Sequence, residues 1–112
     1  MKKIEAIIRP EKLGDVRVAL EKAGYPGLML TEIEGHGKQK GITQQWRGEE
    51  YKVDLLSKVK LELVVSDKDV ERIVQTIVTA ARTGSVGDGK IFISDIQEVI
   101  RIRTGEQSEA AL

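Results

Sequence analysis

Cysteine is absent, which removes both a disulfide framework and a thiolate metal site. Histidine occurs once, at His36, so neither a histidine-rich metal site nor a triad using two histidines is available. Aromatic residues are scarce, and one Trp, two Tyr and one Phe are too few to build a stacking surface for bases. An excess of positive charge is missing as well: 18 Lys and Arg balance 18 Asp and Glu. Nucleic-acid modules draw most of their affinity from phosphate contacts, so this balance counts against a DNA- or RNA-binding module. No apolar run approaches the length of a membrane span. The segment Met1-Lys2-Lys3-Ile4 enters patterned sequence at once, without the apolar region of a signal peptide. A cytoplasmic protein is expected.

What is present is one domain's worth of chain, 112 residues rich in Val, Ile, Leu and Gly. Ile4, Ala6 and Ile8 alternate with Glu5 and Arg9, which predicts a strand that Pro10 ends. Leu13, Val16, Leu20 and Ala23 recur at helical spacing, and Gly24 is a helix-ending residue. Pro26-Gly27 signals a turn, and residues 28–34 are β-rich. Val59, Leu61, Leu63 and Val65 alternate with Lys58, Lys60, Glu62 and Val64, predicting a second clear strand. Ser66 is a good N-cap for a helix whose stripe is Val70, Ile73, Val74, Ile77, Val78 and Ala81, with Gly84 closing it. Residues 90–94 and 99–103 read as short β segments, and the tail from Thr104 is polar. The order β-α-β, long loop, β-α-β suits two split βαβ units, as in a ferredoxin-like sandwich. Two helices cover only one face of such a sheet. The other carries Glu5, Ile7, Lys60, Glu62 and Val64; it is either a wet face, as antiparallel sheets often have, or one covered by a ligand or by another subunit of a closed oligomer, which Ile7 and Val64 favour.

The stretch 35–53 shows no sustained periodicity. A structureless connection of that length is uncommon in a compact domain and is usually functional or disordered. Trp46 and Tyr51 within it do not suit a plain linker.

Four segments carry chemistry. Gly84-x-x-x-x-Gly89-Lys90 fits the first part of a P-loop but fails at Ile91, where Ser or Thr belongs. It also leaves a helix and enters a strand, so no helix N-terminus faces a phosphate. Two readings stand: an ordinary Asp88-Gly89 turn, or a glycine-rich turn whose backbone N–H groups approach an anion, with Lys90 beside it. Gly35-His36-Gly37-Lys38-Gln39-Lys40-Gly41 is either a flexible basic loop or a second cradle for phosphate or carboxylate. It lacks the spacing and context of a dinucleotide fingerprint. Arg101 and Arg103, two apart on a strand, would share a face, as a solvated edge or as paired forks for phosphate. Lys58, facing the same way as Lys60, is either edge protection or a partner for a ligand carboxylate. No nucleophile–base pair is evident.

Taken in order, these segments resemble the PII nitrogen-regulatory signal proteins of the GlnB/GlnK type over essentially the whole chain. The resemblance runs through Met1–Pro10, Gly35–Gly41, the Trp46-Arg47-Gly48-Glu49-Glu50-Tyr51 segment, Lys58–Glu62, the block Thr83–Phe92 and the close Val99–Glu106. Joint order and spacing make it specific. It implies an α+β fold, a ferredoxin-like βαββαβ sandwich with a long loop between strands 2 and 3. It implies a single domain over residues 1–112, with the partner-contact loop at about 36–54 and a C-terminal tail at 104–112. The subunits would assemble as a homotrimer with ATP or ADP in each cleft between neighbours.

Carried over by position, Gly87, Asp88, Gly89 and Lys90 would hold the phosphates, and Arg101 and Arg103 would reach them from the adjacent subunit. Gly35, Gly37, Lys38 and Gln39 would line the same cleft. Ile7 and Val64 would lie near the adenine, as would Met29, which stands where the family often has a threonine bonding adenine. Gln39 would give an oxygen to Mg2+ when ATP and 2-oxoglutarate are both bound. Lys58 would pair with the distal carboxylate, and the backbone near Lys40 and Gly41 would touch the same ligand. Arg47 matches the arginine that some members insert into the exit of an ammonium channel. Tyr51 matches a residue that some members uridylylate or adenylylate.

The implied role is a nitrogen-regulatory sensor that controls an Amt-type ammonium transporter, nitrogen-metabolism enzymes, or both. It would bind no nucleic acid and meet a membrane only through a transporter. The alternative is an enzyme that transfers or hydrolyses phosphate in the same cleft. Lys38 replaces a frequent Arg, His36 a frequent Phe, Trp46 a usual Tyr, and Glu49 a position that some relatives phosphorylate as serine.

Overall fold

Alternation decides the first element. In β1 (Lys2–Ile8), Ile4, Ala6 and Ile8 are buried while Lys3, Glu5 and Ile7 are only partly covered. The computed structural model describes the backbone of residues 1–35, 42–46, 49–53 and 56–112, and the side chains of residues 1–34 and 57–112. Pro10 has no N–H to continue a ladder. It opens a 3₁₀ turn, Pro10–Lys12, that leads into α1 (Leu13–Lys22). The helix turns Val16 and Leu20 inward, and Gly24 leaves it at φ +92°.

The remaining elements are β2 (Met29–Gly35), β3 (Ile42–Trp46), β4 (Glu49–Val53), β5 (Leu56–Val65), α2 (Val70–Ala81) and β6 (Lys90–Asp95). The main sheet has the order β2-β5-β1-β6, with antiparallel neighbours throughout. β1-α1-β2 straddles β5, and β5-α2-β6 straddles β1. These interleaved split βαβ units make the ferredoxin-like sandwich. Both helices pack on one face. There Ile4, Ala6 and Ile8 of β1, and Val59, Leu61, Leu63 and Val65 of β5, meet Val16, Leu20, Ile73, Ile77 and Ala81. The register Ile4↔Leu63, Ala6↔Leu61, Ile8↔Val59 keeps both apolar sets on that side, and a one-residue slip would expose one of them. Tyr25 donates its hydroxyl to Asp69 at 2.5 Å and Arg72 donates to the Ala23 carbonyl at 2.8 Å, tying the end of α1 to the start of α2.

The opposite face holds the residues expected there. Its charges pair with one another: Lys3 lies 2.9 Å from Glu5, and Lys60 lies 3.1 Å from Glu62. Ile7 and Val64 are half-buried between them.

Three expectations change. The long connection is not structureless, because β3 and β4 form an antiparallel pair with register Ile42↔Val53, Gln44↔Tyr51 and Trp46↔Glu49. Ile, Thr, Val and aromatic residues suit a strand even where polar neighbours blur the alternation. Residues 99–103 are not a strand: Ile100 makes only an isolated bridge with Gln107, because the chain reverses at Gly105 (φ +74°). The polar tail then folds back, ending in a 3₁₀ turn at Ser108–Ala111. Ser66 does not cap a helix with its side chain. Its hydroxyl donates to Glu109 of that tail at 2.5 Å, and a 3₁₀ turn at Asp67–Asp69 precedes α2.

Leu61 is fully buried at the centre of the sheet. Leu61→Ala is expected to cost about 2–5 kcal/mol of stability, measured by urea unfolding. A loss below about 1 kcal/mol would mean that the core does not close around this position.

Candidate functional site

After α2 the chain must reverse and enter β6 alongside β1. Gly84, Gly87 and Gly89 supply left-handed backbone at φ +90°, +103° and +99°. At Gly89 the approach to β1 is so close that a Cβ would sit 1.7 Å from the Ile7 carbonyl oxygen. Only glycine fits there, and Lys90 follows directly, opposite Ile7 in the ladder.

The Asp88 carboxylate gathers the turn. It accepts from the Thr83 hydroxyl at 2.5 Å, from the Thr83 and Gly84 main-chain N–H groups at 2.9 and 2.8 Å, and from the Arg9 Nε at 3.1 Å. Arg9 also donates to the Val86 carbonyl at 2.9 Å, clamping the loop to the end of β1. The Thr83 hydroxyl first, then the two N–H groups and the guanidinium, hold the Asp88 carboxyl far below the usual carboxylate range. With its oxygens engaged by these donors, any contact of Asp88 with an anion falls to its main chain.

Lys58 reaches the same loop from β5, donating to the Gly87 carbonyl at 2.5 Å. Burial and then the nearby Arg9 guanidinium push its ammonium below the ordinary lysine range. Lys58 also lines a cleft of about 370 Å³ with Pro10, Glu32, Ile33, Glu34, Ser57 and Val59.

The structure thus brings together Ile7, Lys58, Gly87, Asp88, Gly89 and Lys90. Val64 shares the open face with Ile7 but lies opposite Lys3, further along β5. Met29 opens β2 opposite Glu62 and is exposed, and Gly35 ends the same strand opposite Leu56. Arg101 and Arg103 do not join the cluster. Arg101 is bonded to Glu106 and to the oxygens of Ala111 and Leu112, in the tail that Glu109 fastens to Ser66. Lys58 and Ser66 are eight residues apart in sequence, roughly 25 Å along an extended strand. Within one chain, Arg101 therefore lies at the far end of the sheet from the Gly87 loop. Gly37, Lys38, Gln39, Lys40, Gly41 and Arg47 lie outside the described residues. Tyr51 is described only as a backbone position of β4, opposite Gln44.

Arg9 and Thr83 were not singled out by sequence reasoning as loop organisers. The available signal was a cation at the very end of a strand and a hydroxyl five residues before an Asp-Gly pair.

Comparison with known proteins bears on the whole chain. A family model described as "Nitrogen regulatory protein P-II" matches residues 1–106. The chain belongs to the P-II family. It is similar to "Nitrogen regulatory protein P-II 2" of Methanothermobacter thermautotrophicus, at 57% identity over all of this chain and 97% of the relative. It is also similar to "Nitrogen regulatory protein P-II 1" of Escherichia coli K12 at 56%, and to "Nitrogen regulatory protein P-II" of Nostoc punctiforme at 54%, each over the full length of both chains. These relatives are named as regulators, and the P-II chain described here is a nitrogen-regulatory signalling protein rather than an enzyme. Among the described residues no helix is long and apolar enough to cross a membrane. Nor does any group of three or more His, Cys, Asp or Glu there suit a metal ion.

The depressed Asp88 pKa fixes a pH signature. A group whose pKa is lowered by folding stabilises the fold fully above its unfolded value, about 3.9, and loses that contribution as pH falls through the folded value. Wild type is therefore expected to resist urea better than Asp88→Asn by a constant margin between about pH 5 and 7, and the margin is expected to shrink below about pH 3.9. A margin that persists unchanged into acid would show that the Asp88 charge is not what holds the loop.

Proposed function

We propose that this P-II protein senses ATP or ADP together with 2-oxoglutarate and passes the result to partner proteins through the connection between β2 and β5. The observation that carries the reading is the turn before β6. Left-handed glycines sit at 84, 87 and 89, and the one carboxylate within the turn is engaged by its own donors and by Arg9. Lys90 stands at its exit. Such a turn presents main-chain dipoles to an anion with no carboxylate charge in the way. In this reading Gly87, Asp88, Gly89 and Lys90 receive the phosphates of ATP or ADP, and Ile7 and Val64, with Met29, receive the adenine. Gly35, Gly37, Lys38 and Gln39 complete the cleft.

The separation of Arg101 from this loop supports a site shared between chains. Arg101 and Arg103 would reach the phosphates of a neighbouring copy, which accords with a homotrimer. The half-buried Ile7 and Val64 and the exposed Met29 and Phe92 on the open face of the sheet suit burial against another copy. Lys58, held next to Arg9, would take the distal carboxylate of 2-oxoglutarate, with the backbone of Lys40 and Gly41 on the same ligand. Gln39 would give an oxygen to Mg2+ when ATP and 2-oxoglutarate are bound together. Phosphate-bound Mg2+ is what a 2-oxo acid can chelate, which would make the two ligands cooperative. Arg47 would probe the exit of an Amt-type ammonium transporter, nitrogen-metabolism enzymes would be further partners, and Tyr51 would be available for nucleotidylation. The protein would then be cytoplasmic and meet the membrane only through a transporter. The alternative, phosphate transfer or hydrolysis, needs a base to position water, and the engagement of Asp88 counts against it as that base.

Calorimetric titration tests the sensing reading. ATP with magnesium is expected to bind wild type, and Lys90→Ala to weaken it at least about tenfold, the loss of a charge-assisted contact. Lys58→Ala is expected to keep ATP binding and lose the added heat of 2-oxoglutarate. A folded wild type that takes up neither ATP nor ADP would end this reading.

Docking is tested separately, by co-sedimentation with membranes carrying an Amt-type transporter. Arg47→Ala is expected to bind ATP as wild type does and to co-sediment less. Equal co-sedimentation of the two proteins would remove Arg47 from the contact.

A further inference from the structure

The Arg101 guanidinium already has an anionic partner. Its Nη1 donates to the Glu106 carboxylate at 3.0 Å, and its Nη2 to the main-chain oxygens of Leu112 and Ala111 at 3.3 and 3.5 Å. Both terminal nitrogens, one edge of the fork that a phosphate would grip, are taken by the chain's own tail. The turn that delivers Glu106 is closed on itself. The Arg101 N–H donates to the Glu106 carbonyl at 2.9 Å, the Gly105 N–H to the Arg101 carbonyl at 2.7 Å, and the Thr104 hydroxyl to the Glu106 carboxylate at 2.8 Å. Further stitches hold the tail: Ser108 donates its N–H and hydroxyl to Glu98 at 2.8 and 2.9 Å, and Glu109 accepts from Ser66 at 2.5 Å. Yet the Arg101 and Glu106 side chains are 40% and 42% exposed, so the pair sits where an incoming anion can reach it.

We propose that residues 104–112 act as a built-in competitor for Arg101, with the Glu106 carboxylate occupying the place that a neighbouring subunit's nucleotide phosphate takes. This rests on the nucleotide reading above and adds a threshold to it. A carboxylate and a phosphate cannot share the same edge of one guanidinium, so filling the site releases Glu106 and loosens the turn. An exposed ion pair is worth too little to block a polyphosphate. The competitor therefore sets the concentration at which the site fills, and it makes the tail's conformation report occupancy. Glu106 is in these terms a positioning residue for Arg101, touching no nucleotide itself.

The experiment is ADP titration by calorimetry on full-length wild type, Glu106→Gln, Arg101→Ala and the double variant, with amide hydrogen exchange followed at Gly105. Glutamine keeps an acceptor for Thr104 and Arg101 and removes the charge, so the turn is retained. Glu106→Gln is expected to bind ADP about two- to fivefold more tightly than wild type, the scale of one exposed pair. In the Arg101→Ala background the same change is expected to do nothing. Saturating ADP is expected to speed exchange at Gly105 in wild type. Unchanged or weaker ADP binding by Glu106→Gln, with wild type binding normally, overturns the competitor and leaves the nucleotide site standing. A folded wild type that takes up no ADP overturns both.

Discussion

The Asp88 carboxylate, partly exposed, is held by donors at the ends of two elements and itself stands just before a third. Thr83 and Gly84 leave α2, Arg9 leaves β1, and Asp88 itself stands two residues before β6. The Arg9 bridge to Val86 and the Lys58 bridge to Gly87 add the start of β5 to the same knot. Charge-assisted bonds of this kind are the stronger class of hydrogen bond, and their donors are preorganised by the sheet on either side. The glycine geometry depends on them. Gly89 passes so close to the Ile7 carbonyl that no side chain is admissible. A loop pinned at that distance cannot drift without breaking the Asp88 contacts as well. The candidate anion site is thus a consequence of how β6 is docked onto β1.

The sheet's second face follows a different constraint. Its charges must be settled without help from the core, while apolar side chains stand beside them. Lys3, Glu5, Lys60 and Glu62 pair locally, next to the half-buried Ile7 and Val64 and the exposed Met29 and Phe92. Arg101 meets the same tension at the chain's other end. Its charge is satisfied in cis by Glu106, and in the proposed reading a second chain's phosphate competes for it. In that reading a single subunit holds only part of each site.

Much of this was legible in the residues. Clean alternation at Ile4, Ala6 and Ile8 and from Val59 to Val65, and the stripe from Val70 to Ala81, fixed the core because burial on one face imposes those periods. The Gly84–Lys90 turn was visible as glycine chemistry. What stayed hidden was non-local. Nothing near Arg9 says that its partner is Asp88, 79 residues away. Ser66 reads as a helix cap, and only the returning tail reveals Glu109 as its partner. The β3–β4 pair was missed because Gln44 and Gln45 interrupt the apolar alternation that marks a half-buried strand. Residues 99–103 were over-read because isolated β-favouring residues mean little once Gly105 reverses the chain.

In the proposed reading, the placement of Lys58 gives a signal a way out of the site. β2 ends at Gly35 and β5 begins at Leu56, and the two are paired in the ladder. The chain between them therefore departs from and returns to adjacent points of the sheet. Lys58 lies two residues inside that junction and touches the Gly87 loop. In the proposed reading, a carboxylate drawn to Lys58 competes for the ammonium with the Gly87 carbonyl, and phosphate on the loop changes what Lys58 experiences. The two ligands would sense one another through one side chain at the base of the connection. A ligand shifts a conformational equilibrium only by its differential affinity for the two states. In that reading sensitivity depends on how differently Lys58 is bonded in the two states.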